Sequence, residues 1–263
     1  MPKPRRGSPW WELRQSASRN DALEMYLYGD VEGDSVDWWG DTSESDTSAD
    51  HFRDELAKYP NVTEIVLYIN SYGGDVYEGT AIYNQLRRHP AHKTVYIDGF
   101  ACSIASVIAM AGDEVIMPKN TLMMLHNMWC VAVGYPAQLR KAADDLDVII
   151  AAGRQAYLAK AGDKLTEDKL IELMDAETWL TAEQCIELGL CDRYADEDAD
   201  MSYAADMLNE ATDRLEQRLD RNRKIAAQLR ELAPAPKAAD PVPTPAEPQK
   251  PPAKSIMEML AGI

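Results

Sequence analysis

No stretch of this chain approaches the roughly 18 consecutive apolar residues that a membrane-crossing helix needs, so no membrane partner is expected. Cysteine is scarce, four in 263 residues, at 102, 130, 185 and 191, with no C-x-x-C pair. The histidines and cysteines show no metal-ligand spacing, which argues against a zinc enzyme. The cysteines fall mostly in apolar segments, a pattern that predicts free thiols in a reducing compartment and hence a cytoplasmic location. Positive charge is in deficit: 27 basic against 44 acidic residues, a formal net charge of −17. Such a surface repels phosphates, so neither DNA nor RNA is an expected partner. The opening Met-Pro-Lys-Pro-Arg-Arg-Gly-Ser-Pro-Trp-Trp is basic but has no apolar run of the kind a signal peptide carries. The Walker pattern, G-x-G-x-x-G and the G-x-S-x-G elbow of the α/β-hydrolases are all missing, and nothing calls for a cofactor.

What is present suffices for one large domain with appendages, since 46% of the residues are hydrophobic. Residues 1–24 read as an irregular lead in which Trp10 and Trp11 are available for packing. A strand over 23–28 precedes an acidic Gly/Ser/Asp loop over 29–49, a helix over 50–58 and a strand from Ile65. Helices over 76–89 and 103–111 then alternate with strands over 94–97, 115–117 and 122–125, followed by long helices over 136–161 and 166–174. Thr181-Ala-Glu-Gln184 is a capping box, and Gly189 closes the short helix it opens. This βα alternation predicts an α/β fold with a largely parallel sheet, in a domain spanning 25–195.

Beyond Tyr194 the character changes. Residues 196–232 form a charged helical extension whose Leu208, Leu215 and Leu229 fall at heptad position a, with Ala211, Ile225 and Leu232 at d. Arg218 and Asn222 interrupt those rows, so a weak coiled coil and a solvated helix both remain open. Residues 233–254 are Pro/Ala/Lys-rich, a linker without core-forming capacity, and 255–263 are a short apolar segment that such a linker would tether to a target.

The chemistry concentrates in Gly99-Phe100-Ala101-Cys102-Ser103-Ile104-Ala105-Ser106, where a turn delivers a serine to the start of an apolar helix. Twenty-three positions later His126 ends the apolar run Leu122-Met123-Met124-Leu125. A serine hydroxyl becomes a nucleophile when a base takes its proton, so a serine with a reachable histidine is the minimum for acyl transfer. Serine is also a common N-cap, and that reading of Ser103 stands beside the first. Upstream, Ile69-Asn70-Ser71-Tyr72-Gly73-Gly74-Asp75 ends a buried strand in a glycine pair. Such a pair can turn N–H groups toward an anion or simply connect strand to helix. Cys102 and Ser106 read as packing residues, and His51, His89 and His92 as solvated.

Four ordered segments carry a resemblance. Asn70-Ser71-Tyr72-Gly73-Gly74 resembles the I-N-S-P-G-G turn of the Clp protease (ClpP) family, with Tyr72 in place of proline. Gly99 to Ser103 is similar to that family's G-x-A-A-S turn, and Met124-Leu125-His126-Asn127 to its M-I-H-Q segment. Glu177 through Asp192 resembles its closing helix and strand. Within the family the chain is most similar to the ClpP-related head maturation (prohead) proteases of tailed phages and prophages, over roughly residues 25–194. The resemblance implies a ClpP/crotonase-like spiral of ββα units and a homo-oligomeric ring built on the helix from Pro136. It implies Ser103 as nucleophile and His126 as general base, with the N–H groups of Gly74 and Ile104 as the oxyanion hole. Glu177, two residues before Trp179, is implied as the third triad member, with Asp175 as the alternative acid. Gly73 and Asn127 are implied to contact substrate.

The function expected from this is a serine endopeptidase that processes capsid or scaffold proteins during prohead maturation, in the host cytoplasm or the prohead. Two alternatives accompany it: a housekeeping Clp-type peptidase fed by an AAA+ unfoldase, and a crotonase-type acyl-CoA enzyme.

Overall fold

Ile65, Leu67 and Ile69 alternate along one strand with no more than 1% of their surface exposed, and the rest of the architecture follows from what covers them. A computed structural model describes residues 10–15, 21–36, 42–43 and 45–199. In chain order its strands are β1 (Trp10–Gln15), β2 (Ala22–Val31), β3 (Ser35–Val36), β4 (Thr42–Ser43), β5 (Glu64–Gly74), β6 (His92–Cys102), β7 (Glu114–Met117), β8 (Leu122–Leu125), β9 (Thr178–Thr181) and β10 (Arg193–Tyr194). The helices are α1 (Ala49–Leu56), α2 (Val76–Arg88), α3 (Ile104–Ala109), α4 (Pro136–Ala161), α5 (Glu167–Asp175) and α6 (Ala182–Glu187).

The main sheet runs β1-β2-β5-β6-β7-β10, with β8 also paired to β6 and β9 to β8. All pairings in it are parallel except β1–β2 and β8–β9. Strand β6 divides its edge between two neighbours: Thr94–Tyr96 pair with β7, and Phe100–Cys102 pair with β8. That division carries β8 past the end of β7 and brings its carboxyl end beside that of β6.

Helix α2 turns Gly79, Ile82 and Leu86 inward, one face of the helical period. It lies against α3 closely enough that a Cβ on Gly79 would fall 2.2 Å from Ile104 Cγ1. The six residues of α3 are all buried, which fits a helix that is apolar on every side. The capping box at Thr181 forms as expected, its hydroxyl accepting from the Gln184 N–H while the Gln184 side chain accepts from the Thr181 N–H. A buried Lys93 is satisfied by the carbonyls of His89 and Ala91 and by Asp113 at 3.1 Å.

Two expectations need correction. Residues 10–15 are a strand paired antiparallel to β2, where the reading of 1–24 expected irregular structure. The run Trp-Trp-Glu-Leu-Arg-Gln holds two β-favouring tryptophans and neither Gly nor Pro, and pairing with β2 supplies what a lone six-residue segment lacks. The loop expected over 29–49 starts later, because β2 continues to Val31, and it contains the short β3–β4 pair. Cys130 is exposed, while Cys102, Cys185 and Cys191 are buried; all four are free. Of the helical extension expected over 196–232, residues 196–199 carry no helix, and the remainder, with the linker and apolar segment expected over 233–263, lies outside the described residues. Among the described residues no helix is long and apolar enough to cross a membrane.

Candidate active site

The carboxyl ends of parallel strands β5, β6 and β8 converge, and the start of β9 closes the group. In open parallel sheets this is the edge where ligands bind. Ser103 follows β6 directly, and its N–H donates to the Met124 carbonyl of β8 at 2.9 Å. The pairing Leu125–Thr178 is the last of β8 with β9, so the next residues, His126 and Glu177, emerge side by side at the open end of that ladder.

Ser103 occupies the N-cap position of α3 with φ 54° and ψ −129°, and its side chain makes no capping hydrogen bond. A serine kept as a cap would have extended backbone and an engaged hydroxyl; here the backbone is in a region that only glycine enters freely and the hydroxyl is uncommitted. Among the described residues Ser103 and Glu177 (φ 49°) are the two non-glycine residues with positive φ. Backbone of this kind costs on the order of 1–3 kcal/mol and clusters at functional sites.

The glycine pair is shaped by the same corner. Gly73 has φ 97°, and a Cβ there would lie 2.8 Å from both the Cys102 carbonyl oxygen and Ser103 Cβ. Gly74, at φ 142°, has its missing Cβ aimed at the Val31 carbonyl oxygen, 2.0 Å away. Neither position admits a side chain. The Gly73 N–H is taken by the Ser71 hydroxyl at 3.0 Å, and Asp75 caps α2 by accepting from the N–H groups of Tyr77 and Glu78. Ile104, the first residue of α3, has an N–H with no acceptor inside its own helix.

His126 is half-buried. Burial pushes its imidazole below the ordinary value, while the negative charge of Glu177 and a hydrogen bond with the Asn127 backbone act upward. The two candidate acids therefore part company. Glu177 is the carboxylate that acts on His126, whereas Asp175 accepts the Asn127 side-chain amide at 2.6 Å. Asn127, implied as a substrate contact, is thus tied to the end of α5.

Cys102, adjacent to Ser103, faces away: it packs with Phe100, Tyr72, Leu122 and Met124 apart from the main core, and burial pushes its thiol up. Phe100 also stacks edge-on against Trp179. A groove of about 740 Å³ opens beside the site between α2, α3 and α4, lined by Val76, Tyr77, Val107, Met128 and Ala156 among others. Among the described residues no cluster of three or more His, Cys, Asp or Glu is placed to hold a metal ion.

Sequence reasoning missed two participants. Ser106 reads as packing from its place one turn beyond Ser103, yet its hydroxyl bonds the Ser103 carbonyl and the Tyr157 hydroxyl. No pattern marks Tyr157, 51 residues further on, because only the folding of α4 onto α3 brings it there.

The family model described as Clp protease matches residues 45–198, more than half of the chain. The chain belongs to the Clp protease family. Members of this family are serine-type peptidases. The chain is 30% identical over 149 residues to the ATP-dependent Clp protease proteolytic subunit 3 of Streptomyces coelicolor, covering 54% of this chain and 66% of that one. It is 32% identical over 134 residues to proteolytic subunit 1 of Streptomyces avermitilis, covering 50% and 60%. With the proteolytic subunit of Deinococcus radiodurans it shares 30% over 137 residues, covering 51% and 66%. The matches thus span just under two thirds of these subunits' own length. The Clp-family match contains every element of the corner described above, from β5 to β9.

Proposed function

We propose that this chain is a serine endopeptidase in which Ser103 attacks the peptide carbonyl, His126 takes and returns the proton, and Glu177 steadies the imidazolium. One observation carries it: an uncapped serine in strained backbone stands at the strand-end corner where a half-buried histidine and a carboxylate also emerge. The substrate would lie extended beside Gly73-Gly74, pairing as an added strand. The N–H groups of Gly74 and Ile104 would hold the oxyanion, the leaving amine would take the proton from His126, and water would hydrolyse the acyl-enzyme. The apolar groove beside the corner favours an apolar substrate side chain there.

For the substrate, the resemblance to prohead proteases favours capsid or scaffold proteins, and the extension beyond the matched residues 45–198 is in keeping with a docking segment. A specific observation favours a second reading: the relatives are named ATP-dependent Clp protease proteolytic subunits, which points to delivery of substrate by an AAA+ unfoldase. Either form fits a homo-oligomeric ring. Trp129, Val131, Val133 and Tyr135 leave an apolar segment exposed just before α4, the arm that the family resemblance assigns to assembly.

The first test is fluorophosphonate labelling of the purified chain with peptide mapping. Label on Ser103 is expected; label elsewhere, or none on either free or assembled protein, overturns the proposal. Cleavage of a co-expressed capsid protein without nucleotide, against degradation only with an unfoldase and ATP, separates the two substrate readings.

The pH profile supplies an independent check. A general base works in its neutral form, so activity is full above the His126 pKa and falls as pH drops through it. Because burial sets that pKa below the ordinary imidazole value, the acid limb of kcat/KM is expected below about pH 6.5. A limb above that value, or none at all, would remove His126 from the role.

A further inference from the structure

Tyr157 and Ser106 form a buried hydrogen-bond chain that ends on the backbone of the candidate nucleophile. Tyr157 sits in the second half of α4 with 2% of its surface exposed, and Ser106 in α3 with none. Their hydroxyl oxygens are 2.7 Å apart. Ser106 Oγ lies 2.5 Å from the carbonyl oxygen of Ser103. A carbonyl can only accept, so Ser106 directs its single proton there, and its oxygen accepts in turn from Tyr157. The order is Tyr157 O–H to Ser106 O–H to Ser103 C=O, and each bond in such a chain polarises the next.

The Ser103 carbonyl and the Ile104 N–H belong to one peptide unit. That unit is planar and trans, with C=O and N–H pointing opposite ways, so fixing the oxygen aims the N–H. At Ser103 ψ is −129°, far from the helical value of about −42°, yet its carbonyl accepts from the N–H groups of Ser106 at 3.0 Å and Val107 at 3.4 Å, so the plane is the first of the helix and the chain turns sharply just before it. Such a backbone persists only where its surroundings hold it. On the strand side the hold is the Ser103 N–H to the Met124 carbonyl. On the helix side three donors meet the Ser103 carbonyl, the Ser106 and Val107 N–H groups and the Ser106 hydroxyl; the hydroxyl, at 2.5 Å the shortest of them, is itself fixed by Tyr157.

We infer that Tyr157 and Ser106 are positioning residues that aim the Ile104 N–H at the oxyanion. The inference rests on the assignment of Ser103 and Ile104 proposed above. Neither hydroxyl touches the reacting atoms; both act through one peptide plane. A plane left to the two backbone donors alone aims its N–H less firmly, which weakens an interaction made in the transition state and leaves substrate binding alone, so the loss belongs in kcat and not in KM.

The test uses the full chain with Tyr157→Phe, Ser106→Ala and the pair, assayed for peptide hydrolysis and for the rate of fluorophosphonate labelling. The phosphonyl oxygen takes the oxyanion's place, so both readouts report the same donor. Each single variant is expected to lower kcat and the labelling rate about tenfold, part of the 10²–10³ that loss of a whole oxyanion donor costs. KM should stay within about twofold, and the double variant should match Ser106→Ala, since both substitutions cut one chain. Tyr157→Phe removes a single oxygen and keeps the buried ring, so it decides the matter if Ser106→Ala does not fold. A Tyr157→Phe protein that is labelled as fast as wild type, or that loses only KM, overturns the inference alone. A wild type that is never labelled at Ser103 overturns the parent assignment and this inference with it.

Discussion

Ser103→Ala is expected to lower kcat for peptide hydrolysis by about 10⁵- to 10⁶-fold, and adding His126→Ala should cost little more. Nucleophile and base act as a unit, so once either is gone the other has no partner to activate or to relieve. What survives is the contribution of substrate binding and the oxyanion donors, a residual of about 10³–10⁴ over water. The measurement is single-turnover hydrolysis of a peptide by the single and double variants. Additive losses would mean that Ser103 and His126 serve separate purposes. A third variant addresses the backbone. Ser103→Gly loses the hydroxyl equally but also relieves φ 54°, and its melting temperature is expected to equal or exceed that of Ser103→Ala. A lower value would show that the corner imposes no strain on Ser103.

That strain explains which features were legible in the sequence and which were not. The run Leu122-Met123-Met124-Leu125 ahead of His126, and Ile65 to Ile69 ahead of the glycine pair, are apolar segments with turn signals after them, and both became strands, the first ending where expected and the second running on through the glycine pair to Gly74. Helix α4 runs over the residues read for it, Pro136–Ala161, because proline marks the start and Gly162 the end of a helix-forming stretch interrupted only by Gly153. Three-dimensional facts stayed out of reach. The division of β6 between β7 and β8 depends on strand length and twist, and no periodicity encodes it. The unengaged hydroxyl of Ser103 depends on a ψ that a one-dimensional pattern does not carry, so cap and nucleophile looked alike. The partnership of Ser106 with Tyr157 needs α4 already packed on α3. The 10–15 strand was hidden for a related reason, since a short edge segment acquires its structure from β2 rather than from its own composition.

The resemblance gives Glu177 as the acid and Asp175 as the alternative, and the structure makes the choice measurable. Glu177→Gln keeps the length and hydrogen-bonding capacity of the side chain and removes its charge. The imidazolium that forms when His126 accepts the Ser103 proton then loses its stabilising carboxylate, and kcat is expected to fall about 10²- to 10⁴-fold. Asp175→Asn removes a charge that instead engages the Asn127 amide at 2.6 Å, so its loss is expected to stay within about threefold. The pH profiles separate the two by a second route. Glu177 raises the His126 pKa against the downward push of burial, so Glu177→Gln should move the acid limb to still lower pH. Asp175→Asn should leave that limb where it is. A large kcat loss with a shifted limb for Asp175→Asn, and a mild one for Glu177→Gln, would reverse the roles. Two mild losses would mean that His126 works without a carboxylate, and that the positive φ of Glu177 serves only the turn into β9.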